Sequence, residues 1–270
     1  MAGLHENRRR ACSFGEAAEQ YDRARPSYPA ALIDDLTVEG VRVVLDVGCG
    51  TGKASRLFLE RGCDVLGIEP DPAMALLARS HGVTVEEAMF EDWDPAGRMF
   101  DLVVSGQAWH WVDPDVGPAK AAAVLRDGGR FAAFWNMDSY DPETQAALRD
   151  VYRRMAPELL DGSVQSATAV AIGGMESGHD DEEDLRKLTA TGRFADVEAR
   201  RYDWSRVYSA SDWLQKIETH SDHRVLPPER LGTLTEALRE RIDDRGGEVA
   251  VHYETFLLTA RRAGGTAGPS

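Results

Sequence analysis

The stretch Val43-Val-Leu-Asp-Val-Gly-Cys-Gly-Thr-Gly52 decides how this chain is read. A short, valine-rich apolar run passes straight into three alternating glycines, the pattern of a buried strand that ends in a tight turn. Seventeen residues past Gly52 a second apolar run, Asp64-Val-Leu-Gly-Ile68, delivers Glu69. A strand that ends in glycines lets backbone approach a ligand with no Cβ in the way. A carboxylate closing the next strand can accept both hydroxyls of a ribose. Together they form a grip for a nucleoside.

Two other glycine loops are excluded by spacing. A dinucleotide fingerprint requires Gly-x-Gly-x-x-Gly, but Gly48, Gly50 and Gly52 run Gly-x-Gly-x-Gly, and Lys53 holds the third glycine's place. A phosphate loop counted back from Gly52-Lys53 puts its first glycine at Val47, and Ala54 replaces the hydroxyl that would hold magnesium. The expected ligand is a nucleoside without phosphates.

Asp46 to Gly52 with Glu69 resembles the cofactor motif of the class I S-adenosylmethionine-dependent methyltransferases. In that family the glycine loop passes beneath the amino acid part of the cofactor and the acid clamps the ribose. The resemblance implies an α/β fold: a doubly wound, seven-stranded, mostly parallel Rossmann-like sheet with a helical N-terminal arm and helical cap insertions. It also implies S-adenosylmethionine as cofactor, with Asp46, Gly48, Cys49, Gly50, Gly52, Glu69 and Pro70 around it.

The 270 residues suit one large α/β domain with insertions. A net charge of −15 and a pI near 4.9 argue against nucleic acid or an anionic membrane as partner, since both require a basic face. The clusters Arg8-Arg9-Arg10 and Arg200-Arg201 are short enough to be solvated surface. Three cysteines, Cys12, Cys49 and Cys63, show no framework or metal-ligand spacing, which fits a reducing cytoplasm and no bound metal. No run approaches the length of a membrane helix, and the polar N-terminus lacks a signal-peptide core. A soluble protein acting on a small molecule is expected, with its oligomeric state left open.

Along the chain, helical and strand patterns alternate, which implies a parallel sheet with right-handed crossovers. Helices are expected at 28–39, 53–61 and 71–80, the last with Asp71 as N-cap and Pro72 in its first turn. Strands are expected at 43–47, 65–68, 83–87, 101–105, 130–135, 196–207 and 249–259. The expected organisation is an arm over 1–29, a Rossmann-like core over 30–136 and a helical insertion over 137–195. The last strands then span 196–262 with a substrate-side insertion at 209–247, and a disordered tail covers 263–270. The acidic run at 180–184 reads as the solvated first turn of a helix.

Ser105-Gly-Gln-Ala-Trp-His-Trp111 follows the fourth strand, at the carboxyl edge where ligands bind in such sheets. Its Gln-x-x-His-Trp pattern is similar to that of a type 11-like subgroup acting on small molecules, which resembles trans-aconitate methyltransferase. The resemblance implies Ser105 and Gln107 on the cofactor, and Trp109 and Trp111 lining the substrate cavity, although either tryptophan could equally pin the next helix to the core. It implies that the segment from Phe14 to Pro29 folds over the cofactor, with Arg25 meeting the methionine carboxylate and Tyr21 closing that end. Adenine is expected against Met89, Phe90 and Glu91, where methionine replaces the family's usual acid. In the insertion, Trp213, His220 and His223 fall on the substrate side. If the acceptor needs deprotonation, His110 is the first choice of base, with His220 or His223 behind it. The expected reaction is in-line methyl transfer, with oxygen the commonest acceptor in such enzymes, nitrogen or carbon being the other options. A non-catalytic cofactor-binding relative and a nicotinamide-dependent oxidoreductase remain as alternatives.

Overall fold

The first strand forms where the sequence places it, over Val43–Val47 (β1). In this computed structural model, which describes residues 18–38, 40–160, 167–173, 186 and 188–264, β1 lies inside a seven-stranded sheet. The other strands are β2 (Asp64–Ile68), β3 (Thr84–Glu86), β4 (Phe100–Gly106), β5 (Leu125–Ser139), β6 (Phe194–Ser209) and β7 (Glu248–Arg262). Their spatial order is β3-β2-β1-β4-β5-β7-β6, and β7 runs antiparallel to both of its neighbours. The order reverses between β1 and β4, so a crevice opens there at the carboxyl edge. Asp101, early in β4, sets the register by accepting from the Arg42 and Val43 amides at 2.9 and 2.8 Å.

Period-two alternation separates the two faces of the sheet. Leu45, Val103, Phe131, Ala133 and Phe256 belong to one buried cluster, while Val44, Leu102, Ala132, Phe134 and Leu257 belong to another. Helices α2 (Ala30–Leu36) and α3 (Lys53–Leu59) cover the second face. Helix α5 (Gly117–Val124) covers the first. Helix α4 (Pro72–Ser80) starts as the sequence predicts: the Asp71 side chain accepts from the Ala73 and Met74 amides, which would otherwise have no partner at the helix end.

Strands β5 to β7 run past the rest of the sheet. Asn136 to Ser139 pair with Thr255 to His252, and β6 follows β7 down to Ser209 opposite Glu248. This extension carries a third core, in which α6 (Pro142–Met155), α8 (Ala210–Glu218) and α9 (Pro228–Asp243) bury Tyr152, Trp213 and Leu238 and against which α7 (Ala167–Ala171) packs. It forms a roof over the carboxyl edge. A short helix, α1 (Ala18–Ala24), packs against α8 and α4 and bridges roof and core. The acidic run at 180–184, the first residues of the arm and the tail from 265 lie outside the described residues.

Candidate cofactor and acceptor site

Past β1 the chain turns on backbone that only glycine accommodates. Gly48 has φ +68° and donates its N–H to the Ile68 carbonyl at 2.8 Å, and a Cβ there would stand 2.6 Å from the Ala108 Cβ. Gly50 has φ +55°, and a Cβ on it would meet nothing within 4 Å, so this side of the loop is open. Gly52 begins α3, and Cys49 is a buried packing residue against Ala75 and Ala78. The Gly50 N–H donates to Glu69 Oε2 at 2.9 Å, and the Asp71 N–H donates to Oε1 at 3.0 Å. The carboxylate is thus fixed beside the open loop. Burial pushes its pKa up to about 7, a rise these two backbone donors only partly offset.

Asp46 completes this end. Burial raises its carboxyl to about 6; Oδ2 accepts from Ser55 Oγ at 2.6 Å, while the buried Oδ1 has no partner among the described residues. Two carboxylates and an unsatisfied acceptor around an open glycine turn suit a ligand rich in hydroxyl and ammonium donors and repel phosphates. Adenosyl-methionine has that composition, so the residues present fit the cofactor.

On the adenine side Phe90 is buried, with Trp93 and Trp109 each 6.2 Å from its ring, while Pro70, Met89 and Glu91 are half-buried. Glu91 already accepts the Asp113 N–H at 2.7 Å. Ser105 and Gln107 hold protein: Ser105 donates to the Val47 carbonyl, and the Gln107 amide donates to the Asn136 carbonyl at 3.0 Å. Trp109 packs on Phe131 with ring centroids 4.5 Å apart and joins the core, the packing role foreseen for one of the two tryptophans. Trp111 is half-buried beside the His110 ring. The Trp135 indole donates to His110 Nδ1 at 3.2 Å. Because an indole N–H can only donate, the neutral His110 ring carries its own proton on Nε2.

The roof changes the picture of the remaining candidates. Trp213, expected beside the substrate, is fully buried in the third core with its indole donating to the Tyr140 hydroxyl, which leaves no face for a ligand. His223 is equally enclosed, with Nδ1 on Asp222 at 2.8 Å and Nε2 on the Tyr152 hydroxyl at 2.7 Å. His220 is buried, and among the described residues neither ring nitrogen has a hydrogen-bond partner. Arg25 lies over the Tyr21 ring and donates to the Thr219 carbonyl at 3.0 Å, which turns it toward α8.

Sequence reasoning missed Asp22 and Lys216. Asp22 accepts from Thr51 Oγ1 at 2.7 Å and Arg56 at 2.9 Å, with His81 and Lys53 close by, so it pins α1 to the glycine loop. Lys216 is fully buried and ion-paired with Asp138. Neither had a readable signal, since each looks like an ordinary charge on an amphipathic helix.

Comparison with known proteins agrees with the geometry. Residues 44–129 match a family model described as a methyltransferase domain. Sheet order and match together give the chain the fold of the class I S-adenosylmethionine-dependent methyltransferases, with a methyltransferase domain over residues 44–129. An uncharacterized methyltransferase of Mycobacterium tuberculosis is 43% identical over 131 residues, covering 46% of this chain and 52% of that protein. The chain thus spans about half the length of the curated relatives it matches first. A Saccharomyces cerevisiae protein named as a probable S-adenosylmethionine-dependent methyltransferase is 32% identical over 210 residues, 71% of this chain and 66% of that one. A trans-aconitate 2-methyltransferase of M. tuberculosis is 34% identical over 139 residues, 49% and 50% of the two chains. In fold, a solved chain from Anaeromyxobacter dehalogenans named as a type II methyltransferase superposes with a TM-score of 0.61 at 24% identity, over 88% of this chain and 97% of that one. Among the described residues, no helix is long and apolar enough to cross a membrane.

Proposed function

We propose that this protein transfers the methyl group of S-adenosylmethionine to an oxygen atom of a small-molecule acceptor. The observation that carries this reading is the Glu69 carboxylate, held by the Gly50 and Asp71 amides beside an open glycine turn. When bound, the cofactor supplies a sulfonium-activated methyl group. The chain's own residues bind and align. Glu69 takes the ribose hydroxyls, Asp46 and the loop backbone take the amino acid end, and Phe90 and Pro70 enclose the base. Rate then comes from holding the acceptor oxygen in line with the methyl group and from excluding water, for which the Trp111 and Phe90 side of the crevice is aromatic.

His110 serves this reaction as a hydrogen-bond donor to the acceptor rather than as its base. With Nδ1 accepting from the Trp135 indole, a neutral His110 ring carries its proton on Nε2. That favours an acceptor whose oxygen already bears negative charge and needs no deprotonation. Titration calorimetry with S-adenosylhomocysteine tests the cofactor assignment: Glu69→Ala should weaken binding by about 1–3 kcal/mol, the scale of a lost charge-assisted hydrogen bond. Wild-type affinity in that variant removes the ribose role and the reading built on it.

A further inference from the structure

The seam between α1 and the roof holds buried polar atoms that the fold leaves unsatisfied. His220 follows the last turn of α8; it is 8% exposed, and among the described residues neither ring nitrogen has a hydrogen-bond partner. Arg25 follows α1, and while one Nη donates to the Thr219 carbonyl at 3.0 Å, its buried Nε–H has no acceptor among the described residues. Because Thr219 immediately precedes His220, that bond sets the guanidinium next to the imidazole. After burial itself, Arg25 is the largest influence holding the His220 pKa well below its usual value, with Lys216 next. A buried polar atom without a partner is unfavourable, because the hydration it loses is not replaced. Three of them on two neighbouring side chains mark a place built for something else to occupy.

The surrounding charges give the sign of that occupant. Lys216 is paired with Asp138, and the Asp222 oxygens are taken by His223 and the Thr168 amide. Among the described residues no carboxylate pairs with Arg25, although the Asp222 carboxylate stands close to His220. A cation is the competing possibility, because ligand atoms of His220, Asp222 and His223 lie within 4.8 Å of one another. To bind there it would have to break the His223 bonds to Asp222 or Tyr152 and stand near two cationic side chains. An anion meets neither obstacle: it finds donors on Arg25 and His220, with the Asp222 carboxylate already turned to His223 and the Thr168 amide. A planar guanidinium beside an imidazole N–H matches a carboxylate in particular. The place is also close to the cofactor end, since Asp22, one turn back on the same helix face, grips Thr51 of the glycine loop.

We propose that Arg25 and His220 form the recognition site for a carboxylate of the methyl acceptor, so that the acceptor is an organic acid. This rests on the methyl-transfer reading above. The one other source of the same chemistry is the cofactor's own methionine carboxylate, and the test separates the two. The full chain is saturated with S-adenosylhomocysteine, its histidine rings are labelled with nitrogen-15, and His220 is assigned by its loss in His220→Asn. Formate and acetate should shift the His220 resonance saturably, whereas neutral acetamide should not. Arg25→Gln should weaken the acetate response about tenfold or more, and Arg25→Lys, which keeps the charge, should retain most of it. Affinity for S-adenosylhomocysteine should stay within about twofold of wild type in Arg25→Gln and His220→Asn. No saturable shift up to about 50 mM acetate overturns the proposal. So does a fall of about tenfold in S-adenosylhomocysteine affinity in those variants, which would give the site to the cofactor. Saturation of the His220 shift by zinc in place of acetate also overturns it. Failure of the wild type to bind S-adenosylhomocysteine would instead sink the cofactor assignment.

Discussion

A single proton on Glu69 links this site to pH. Its carboxyl is raised to about 7 by burial, while a ribose is held by the ionised form. Cofactor binding should therefore expel a proton near neutrality, and S-adenosylhomocysteine affinity should rise as pH goes from about 6 to about 8. Calorimetry in buffers of different ionisation heat reads that proton directly, and Glu69→Gln should bind more weakly and lose the pH dependence. At His110 the test is Trp135→Phe. Removing the indole N–H removes the donor that fixes the tautomer, so turnover should fall while cofactor affinity stays put; unaltered turnover would dismiss the donor assignment. Glu69 was legible because a position at the end of an apolar run is a property of sequence. The tautomer of His110 was not, because it depends on an indole from β5, twenty-five residues away.

At the scale of elements, α1 is held from both sides. Asp22 fastens it to Thr51 and Arg56, while Gln20 and Arg25 fasten it to Glu218 and Thr219 of the roof. Asp22→Asn should release it from the glycine loop: amide hydrogen exchange in 18–25 should speed up by about tenfold, and cofactor binding should weaken because Thr51 loses its partner, with a stability loss of about 1–2 kcal/mol for the broken network. Unchanged exchange would show that the roof contacts suffice alone. Strand positions were largely readable, since valine-rich runs between glycines leave few alternatives. β5 was not: the sequence predicts 130–135, but the strand covers Leu125–Ser139. Its polar extension from Asn136 to Ser139 is strand only because β7 supplies a partner for its backbone, with Thr255 Oγ1 also donating to the Asn136 side chain.

The whole molecule combines two opposite responses to pH. Asp46 and Glu69 have folded pKa values above their unfolded ones, so the stability they provide is full below the unfolded values and lost as pH rises through about 6 and 7. Asp22, Glu86 and Asp101 are lowered, so theirs is present above the unfolded values and lost as pH falls through the folded ones. Without cofactor, the protein should become easier to unfold in urea between pH about 5.5 and 8, by at most about 3 kcal/mol from Glu69. Glu69→Gln should flatten that slope, and an equally steep one in the variant would place its origin elsewhere.

Local pattern determined the sheet, its glycine turn and the acid beside it, because period-two burial, backbone freedom at glycine and the ends of apolar runs are all written in neighbouring residues. Tertiary structure alone decided what the roof does. It enclosed Trp213 and His223 among partners from distant elements, buried Lys216 on Asp138, and brought Arg25 to His220 across 195 positions of chain. Whether a charged side chain is solvated or buried depends on what packs over it, and that is set only when the whole chain has folded.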